Sequence, residues 1–182
     1  MGDERCLQRP QIRDRGWRDT AEAPCAGGDL VTRETLLDAL RPLTATIQTL
    51  DLSDGDGASA ALNRAHPVAE LSALRAMLRE ASAEGWLTPK RATDTLTFGR
   101  LAKPDAADGY AIDVVDMEGV GAAHTHTLGE VDLCFAEAGD PRFDGDPEGW
   151  VVKPPGSRHA PTVTGGRMII LYWLPEGAIA WG

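Results

Sequence analysis

The segment "GVGAAHTHTLGEVDLCF", residues 119–135, sets His124 and His126 two apart and Glu130 four further on, among apolar neighbours. In a β-strand, side chains at i and i+2 share a face, so the two imidazoles stand side by side without any bend in the backbone. The "TLG" that follows turns the chain and lets Glu130 come back toward the same point. Histidine is scarce here, with four in the chain: His66, His124, His126 and His159. His159 lies in "PPGSRHAPTV", where two prolines and a glycine restrict the turn. Three imidazoles and one carboxylate form a donor set suited to one divalent transition metal: Fe, Mn, Ni, Co, Cu or Zn. Four protein ligands on an octahedral ion leave two positions for water or substrate, which separates a catalytic site from a structural one. A His-x-His pair alone often means nothing on a strand. The added Glu130 and a third histidine inside a rigid turn are what raise the pattern to a candidate metal site.

Around this segment the periodicity is that of β structure. "TLTFGRL", "YAIDVVDM", "VDLCFA", "GWVVK" and "RMIILYWL" are short runs separated by turns such as "GDPRFDGDPEG" and "PPGS". With no helix between them they predict an antiparallel sandwich or barrel rather than a βαβ sheet. Upstream the period becomes helical. Leu36, Leu40, Leu43, Ile47 and Leu50 form one stripe, with Thr32 as N-cap and Pro42 expected to kink or divide the helix. The stripe packs either on a second helix or on another copy of the chain. "DLSDGDGAS" reads as a solvated turn, since no glutamate stands where a calcium loop needs one. A second helix is expected from Pro67 to Gly85, with Val68, Leu71, Leu74, Leu78 and Ala81 on one face and His66 beside its start in a capping or surface role. The expected organisation is a flexible tail over residues 1–29, a helical region over 30–92 and a β domain over 93–182.

Composition narrows the functional classes. A net charge of -10 and a pI near 4.8 disfavour nucleic acid as a partner. The arginines at 5, 9, 13, 15 and 18 are balanced by nearby acids. No apolar run is long enough for a membrane span, and the N-terminus lacks a secretory h-region, so a cytoplasmic location is expected. Cys6, Cys25 and Cys134 make neither a disulfide framework nor a thiolate metal site, and Cys134 reads as a buried structural thiol. "GVGAAH" lacks the last glycine of a dinucleotide fingerprint, and no P-loop or GxSxG pattern is present.

The two histidine segments resemble the paired motifs of the cupin superfamily. They run Gly119-x4-His124-x-His126-x3-Glu130-x8-Gly139, then Gly149-x4-Pro154-x-Gly156-x2-His159-x3-Val163. The glycine spacings depart from the family pattern by one or two residues, and Val163 replaces its usual Asn, but no ligand position is touched. The resemblance implies a mainly β cupin, a double-stranded β-helix or jelly-roll barrel, here with a helical N-terminal extension. A closer likeness covers most of residues 30–182. "GWLTPKRATDTLTFGRLAKP", "LCFAEAGDPRFDG" and "GWVVKPPGSRHAPTVTGGRMIILYWLPEGAIAW" are similar to the bacterial 4-hydroxylaminobenzoate lyases. That likeness implies conversion of 4-hydroxylaminobenzoate to protocatechuate (3,4-dihydroxybenzoate) with release of ammonia, in nitroaromatic degradation.

Such chemistry needs the leaving hydroxyl activated, a water activated and the benzoate carboxylate anchored. Glu130 is expected as metal ligand or as general acid and base. Arg142 and Arg158 are the candidate carboxylate partners, against the ordinary alternative of loop salt bridges with Asp140, Asp144 or Asp146. Trp150, Phe143, Tyr172 and Trp173 are candidates for an aromatic wall. Tyr172 and Trp173 must face opposite sides of their strand, so at most one of them lines the barrel. Two other classes remain open: a cupin dioxygenase on an aromatic or enolic acid, and a non-catalytic cupin that binds a small acid. The expected partners are a small aromatic acid and further copies of the chain, as homodimer or higher homo-oligomer.

Overall fold

The computed structural model describes residues 30–181, so the expected N-terminal tail lies outside the described residues. Helix α1 (Arg33–Ile47) begins where the sequence suggests. The Thr32 hydroxyl accepts the Thr35 N–H at 3.2 Å, and Thr35 Oγ1 accepts the Thr32 N–H at 2.9 Å. Pro42 does not divide this helix. The carbonyl that loses its partner is that of Asp38, and both Asp38 and Pro42 lie on the exposed face of the helix. Helix α2 (Gly55–Ala65) was not legible and starts inside the expected turn, with Asp54 Oδ1 accepting the Gly57 N–H at 3.0 Å. Two glycines and only two buried residues, Ala58 and Leu62, give it almost no periodic signal.

The second predicted helix is split. One 3₁₀ turn, Val68–Glu70, follows Pro67, and α3 (Ser72–Ala83) begins after Leu71. Leu74, Leu78 and Ala81 are buried as expected, and Gly85 at φ +80° ends the segment. His66 closes α2 rather than opening α3, and its Nε2 lies 2.8 Å from Thr46 Oγ1.

Among the described residues nine strands follow: β1 (Lys90–Thr93), β2 (Leu96–Ala102), β3 (Tyr110–Val120), β4 (His124–His126), β5 (Glu130–Phe143), β6 (Gly149–Lys153), β7 (Ser157–His159), β8 (Thr162–Pro175) and β9 (Ala180–Trp181). They form a six-stranded sheet in the order β1-β2-β3-β8-β5-β6 and a three-stranded sheet in the order β7-β4-β9, with every pairing antiparallel. The β structure therefore starts at Lys90, just ahead of the expected boundary. β5 also runs on to Phe143 through an irregular register, which confines the expected "GDPRFDGDPEG" turn to its second half.

Both faces of the large sheet are covered. Along β8, Ile169, Leu171 and Trp173 join the core formed with the helices, while Met168, Ile170, Tyr172 and Leu174 join a second core on the other side. β5 alternates likewise, Val131, Leu133 and Phe135 toward the helices, Glu130, Asp132 and Cys134 away from them. This is why "RMIILYWL" is an unbroken apolar run in an antiparallel strand. The α1 stripe is buried within the chain against this sheet, so it is not available as a contact between copies.

The edge strand β6 is protected by α2. Asn63 accepts the Trp150 N–H at 3.1 Å and donates to the Trp150 carbonyl at 2.9 Å, and Ser59 Oγ accepts the Val152 N–H at 2.9 Å. Among the described residues, no helix is long and apolar enough to cross a membrane. One buried hydrogen bond ties α1 to the sheet: the Trp173 indole donates to Thr44 Oγ1 at 2.9 Å. Thr44→Val keeps the shape but leaves that indole N–H without an acceptor. It is expected to destabilise the fold by about 1–3 kcal/mol in urea denaturation, with Thr44→Ser close to wild type.

Candidate metal centre

β4 is three residues long, and its register decides the site. His124 pairs with His159, Thr125 with Arg158 and His126 with Ser157. Gly156, at φ +81°, donates its N–H to the His126 carbonyl at 2.7 Å and so locks the "PPGS" turn onto β4. Gly129, at φ +89°, turns the chain from β4 into β5 and brings Glu130 under the histidines. His124, His126, Glu130 and His159 each offer a donor atom, and these atoms all lie within 4.8 Å of one another. The ring centroids are 4.5 Å apart for His124 and His126, 5.1 Å for His124 and His159, and 5.0 Å for His126 and His159. His126 Nε2 and His159 Nε2 approach to 2.9 Å. Glu130 lies 3.2 Å from His126 Nδ1 and 3.5 Å from His159 Nε2.

The donor set fits a metal on the structure's own evidence. His126 Nδ1 and Glu130 Oε1 are buried without a hydrogen-bond partner, an arrangement that is costly unless something compensates it. Burial, with His124 and His159 beside it, lowers the His126 pKa to about 3, so its ring is neutral and its lone pair available. Burial also lowers His124. Its Nδ1 is 2.8 Å from the Ala122 carbonyl, which fixes the proton there and frees Nε2. Burial and the adjacent Asp132 push the Glu130 carboxyl well above its ordinary range. Asp132 is itself fully buried with both oxygens unpartnered. Asp144 is the opposite case. Although burial opposes it, hydrogen bonds from His159 and Lys153 hold its pKa at about 2.

The cluster opens into a cavity of about 430 Å³ between the two sheets, lined mainly by apolar side chains such as Leu96, Val115, Met117, Leu174 and Ile179. Tyr172 lines it while Trp173 points to the helices, so the alternation resolves which of the two faces inward. Phe143 stands edge-on to Tyr172 at 6.1 Å, whereas Trp150 packs on Trp173 at 5.5 Å on the helical side and takes no part in the site. Arg142 and Arg158 are exposed and outside the cavity lining. Arg158 precedes His159 in β7, and neighbours in a strand face opposite ways. Arg142 stands where the β5 register breaks, with the buried Pro141 before it.

The cation on the cavity wall is Arg100, which the sequence reading passed over. Its Nε and Nη2 donate to Asp113 at 2.7 and 2.9 Å. Trp181 was also missed. It lines the cavity, is largely exposed and packs against the His124 ring, tilted, with centroids 5.0 Å apart. Asp132 carried a usable signal, since it stands two residues after Glu130 on a strand. Cys134 is buried, and burial pushes its thiol well above the ordinary range, in keeping with a structural role.

Two antiparallel sheets enclosing three histidines and a glutamate, drawn from a His-x-His strand and a Pro-Gly turn, define a cupin. The chain belongs, more narrowly, to the 4-hydroxylaminobenzoate lyase family (PnbB), whose model matches residues 38–181. A 4-hydroxylaminobenzoate lyase from Nocardioides sp. (strain LMS-CY) is 36% identical over 93 residues, 45% of this chain, and the match spans 54% of that relative's length. Among solved structures, the DMSP lyase DddQ from Ruegeria pomeroyi DSS-3 overlaps 60% of this chain and 67% of its own, with 21% identity and a TM-score of 0.43. An RmlC-like cupin from Ralstonia eutropha JMP134 overlaps 49% and 61%, with 15% identity and a TM-score of 0.38.

Chelation is expected to lower the thermal midpoint of the protein as purified, and added divalent metal to restore it, because a ligand that binds only the folded state stabilises it by mass action. His126→Ala is expected to weaken metal binding at least about tenfold in chelator competition, while its far-UV circular dichroism stays that of the wild type.

Proposed function

We propose that this protein converts 4-hydroxylaminobenzoate to protocatechuate and ammonia at the His124, His126, Glu130 and His159 centre. The observation that carries the reading is the opening of this cluster into an apolar cavity with one arginine on its wall, in a chain of this family. The reaction balances without oxidant or reductant. The N–O bond breaks, one water adds to the ring, and a second water replaces nitrogen as the imine is hydrolysed. The hydroxyl lost from nitrogen leaves as water, so one water is consumed overall. A divalent transition metal held by the four side chains would supply Lewis-acid activation of the N-hydroxyl oxygen and of water.

The chain's own residues meet the remaining demands. Glu130, which lines the cavity, ligates such a metal as a carboxylate; released from it, the same carboxyl, which burial favours in its protonated form, delivers a proton to the departing hydroxyl and recovers one from the adding water. Burial pushes the Tyr172 phenol well above its ordinary range, so it stays protonated and donates a hydrogen bond into the cavity. Arg100 replaces Arg142 and Arg158 as carboxylate anchor. Arg100, Asp113, Tyr172 and Asp132 form one cross-strand row on β2, β3, β8 and β5, so the guanidinium is built onto the same surface as the centre. Asp113 occupies Nε and Nη2 and orients the group, leaving Nη1 for a substrate carboxylate. The apolar walls exclude water from the ring between these two ends.

Turnover of 4-hydroxylaminobenzoate under argon should match that in air and yield equal amounts of protocatechuate and ammonia. A ring-opening oxygenase would stop without oxygen, and a binding protein would take up the acid without product. Arg100→Ala is expected to raise KM about tenfold or more and to change kcat far less, since a carboxylate remote from the N–O bond is bound alike in ground and transition states. An unchanged KM would remove Arg100 from the site.

A further inference from the structure

We infer that Asp144 is a positioning residue that fixes the tautomer of His159 and thereby aims its Nε2 lone pair into the metal centre. Asp144 Oδ2 lies 2.6 Å from His159 Nδ1 and 2.8 Å from Lys153 Nζ, and Oδ1 accepts the Thr162 N–H at 2.9 Å. A carboxylate with a lysine and a backbone N–H on it can only accept from the imidazole. The proton of His159 therefore sits on Nδ1, and Nε2 is left as a lone pair. That Nε2 faces the cluster, 2.9 Å from His126 Nε2 and 3.5 Å from Glu130 Oε1.

The backbone around Asp144 is built to hold this pose. The residue has φ +51°, uncommon for a side chain other than glycine, inside a tight turn closed by Phe143 and Asp146, each donating its N–H to the other's carbonyl at 2.8 and 2.9 Å. Its own N–H donates to the Thr162 carbonyl at 2.8 Å, so Asp144 and Thr162 are joined at two points. Lys153 stands opposite Glu130 in the β5–β6 register, yet its ammonium is placed on Asp144 and lies 5.6 Å from the Phe143 ring centroid. His124 has its ring fixed by a neutral carbonyl, that of Ala122, whereas the Nδ1 of His159 is held by a carboxylate outside the four-residue cluster. Such carboxylate–histidine pairs fix ring orientation and raise ligand basicity, and their loss typically weakens metal binding 10–100-fold.

This inference rests on reading the cluster as a metal site, and the experiment separates the two. Co(II) affinity is measured by chelator competition on wild type, Asp144→Asn and Asp144→Gly, two residues that tolerate the positive φ. Long-range ¹H–¹⁵N spectra of the chelator-treated proteins report the His159 tautomer without metal. The expected result is roughly 10–100-fold weaker Co(II) binding in both variants, with both metal-free forms folded and Asp144→Asn, which keeps an acceptor for the Thr162 N–H, close to wild type in thermal midpoint. The wild-type Nδ1–H signature of His159 should give way to an Nε2–H or mixed form. Affinity within twofold of wild type, or an Nδ1–H signature kept in Asp144→Gly, overturns the role of Asp144. Wild type that binds no Co(II) overturns the metal reading instead, and the spectra still decide what Asp144 does to the ring.

Discussion

The site depends on one strand register, His124 opposite His159 across β4 and β7. A slip of one residue would turn His159 outward and Arg158 inward, because alternate side chains leave a strand on opposite faces. β4 and β7 are each only three residues long, so their own ladder cannot secure that register. The Gly156 N–H on the His126 carbonyl and the two hydrogen bonds between Asp144 and Thr162 hold it from either side. Turn chemistry, rather than strand propensity, builds the centre.

The large sheet gives that centre a rigid floor. Its helix face is a dense apolar core containing Trp173, Trp150, Phe135 and the α1 stripe. Its other face begins as apolar core at Met168 and Ile170 and becomes polar toward Glu130 and Asp132. Two buried carboxyls side by side, beneath three imidazoles, are an unfavourable arrangement for a folded chain standing alone. The surrounding core offsets that cost, and a bound cation would reverse its sign at the donor atoms.

Much of this was legible in residue order. The β runs, the side-by-side His124 and His126, the glycine turn before Glu130 and the helix stripe all follow from spacing rules, which act over a few neighbouring residues. What escaped were features made by partners far apart in the chain. α2 has a weak apolar face because its work is done by Ser59 and Asn63 on the backbone of β6, some 90 residues away. Arg142 and Arg158 seemed suitable from their closeness to the motif, yet local alternation and a register break point them outward. Arg100, distant in sequence, arrives on the cavity wall through two strand pairings.

Residue order alone therefore determined the kind of chemistry available: a His-x-His strand, a glutamate after a glycine turn and a histidine after a Pro-Gly turn, within a β-rich domain preceded by helices. Only tertiary structure decided which groups surround those donors. Pairing of β2, β3, β8 and β5 selected Arg100 and Tyr172 for the cavity. The turn between β5 and β6 delivered Asp144, and the far end of β6 delivered Lys153, to the outer side of His159. The physical reason is range. Backbone alternation and turn preference are local and can be read from neighbours, whereas hydrogen bonds and ion pairs between strands depend on a register that only the folded sheet sets.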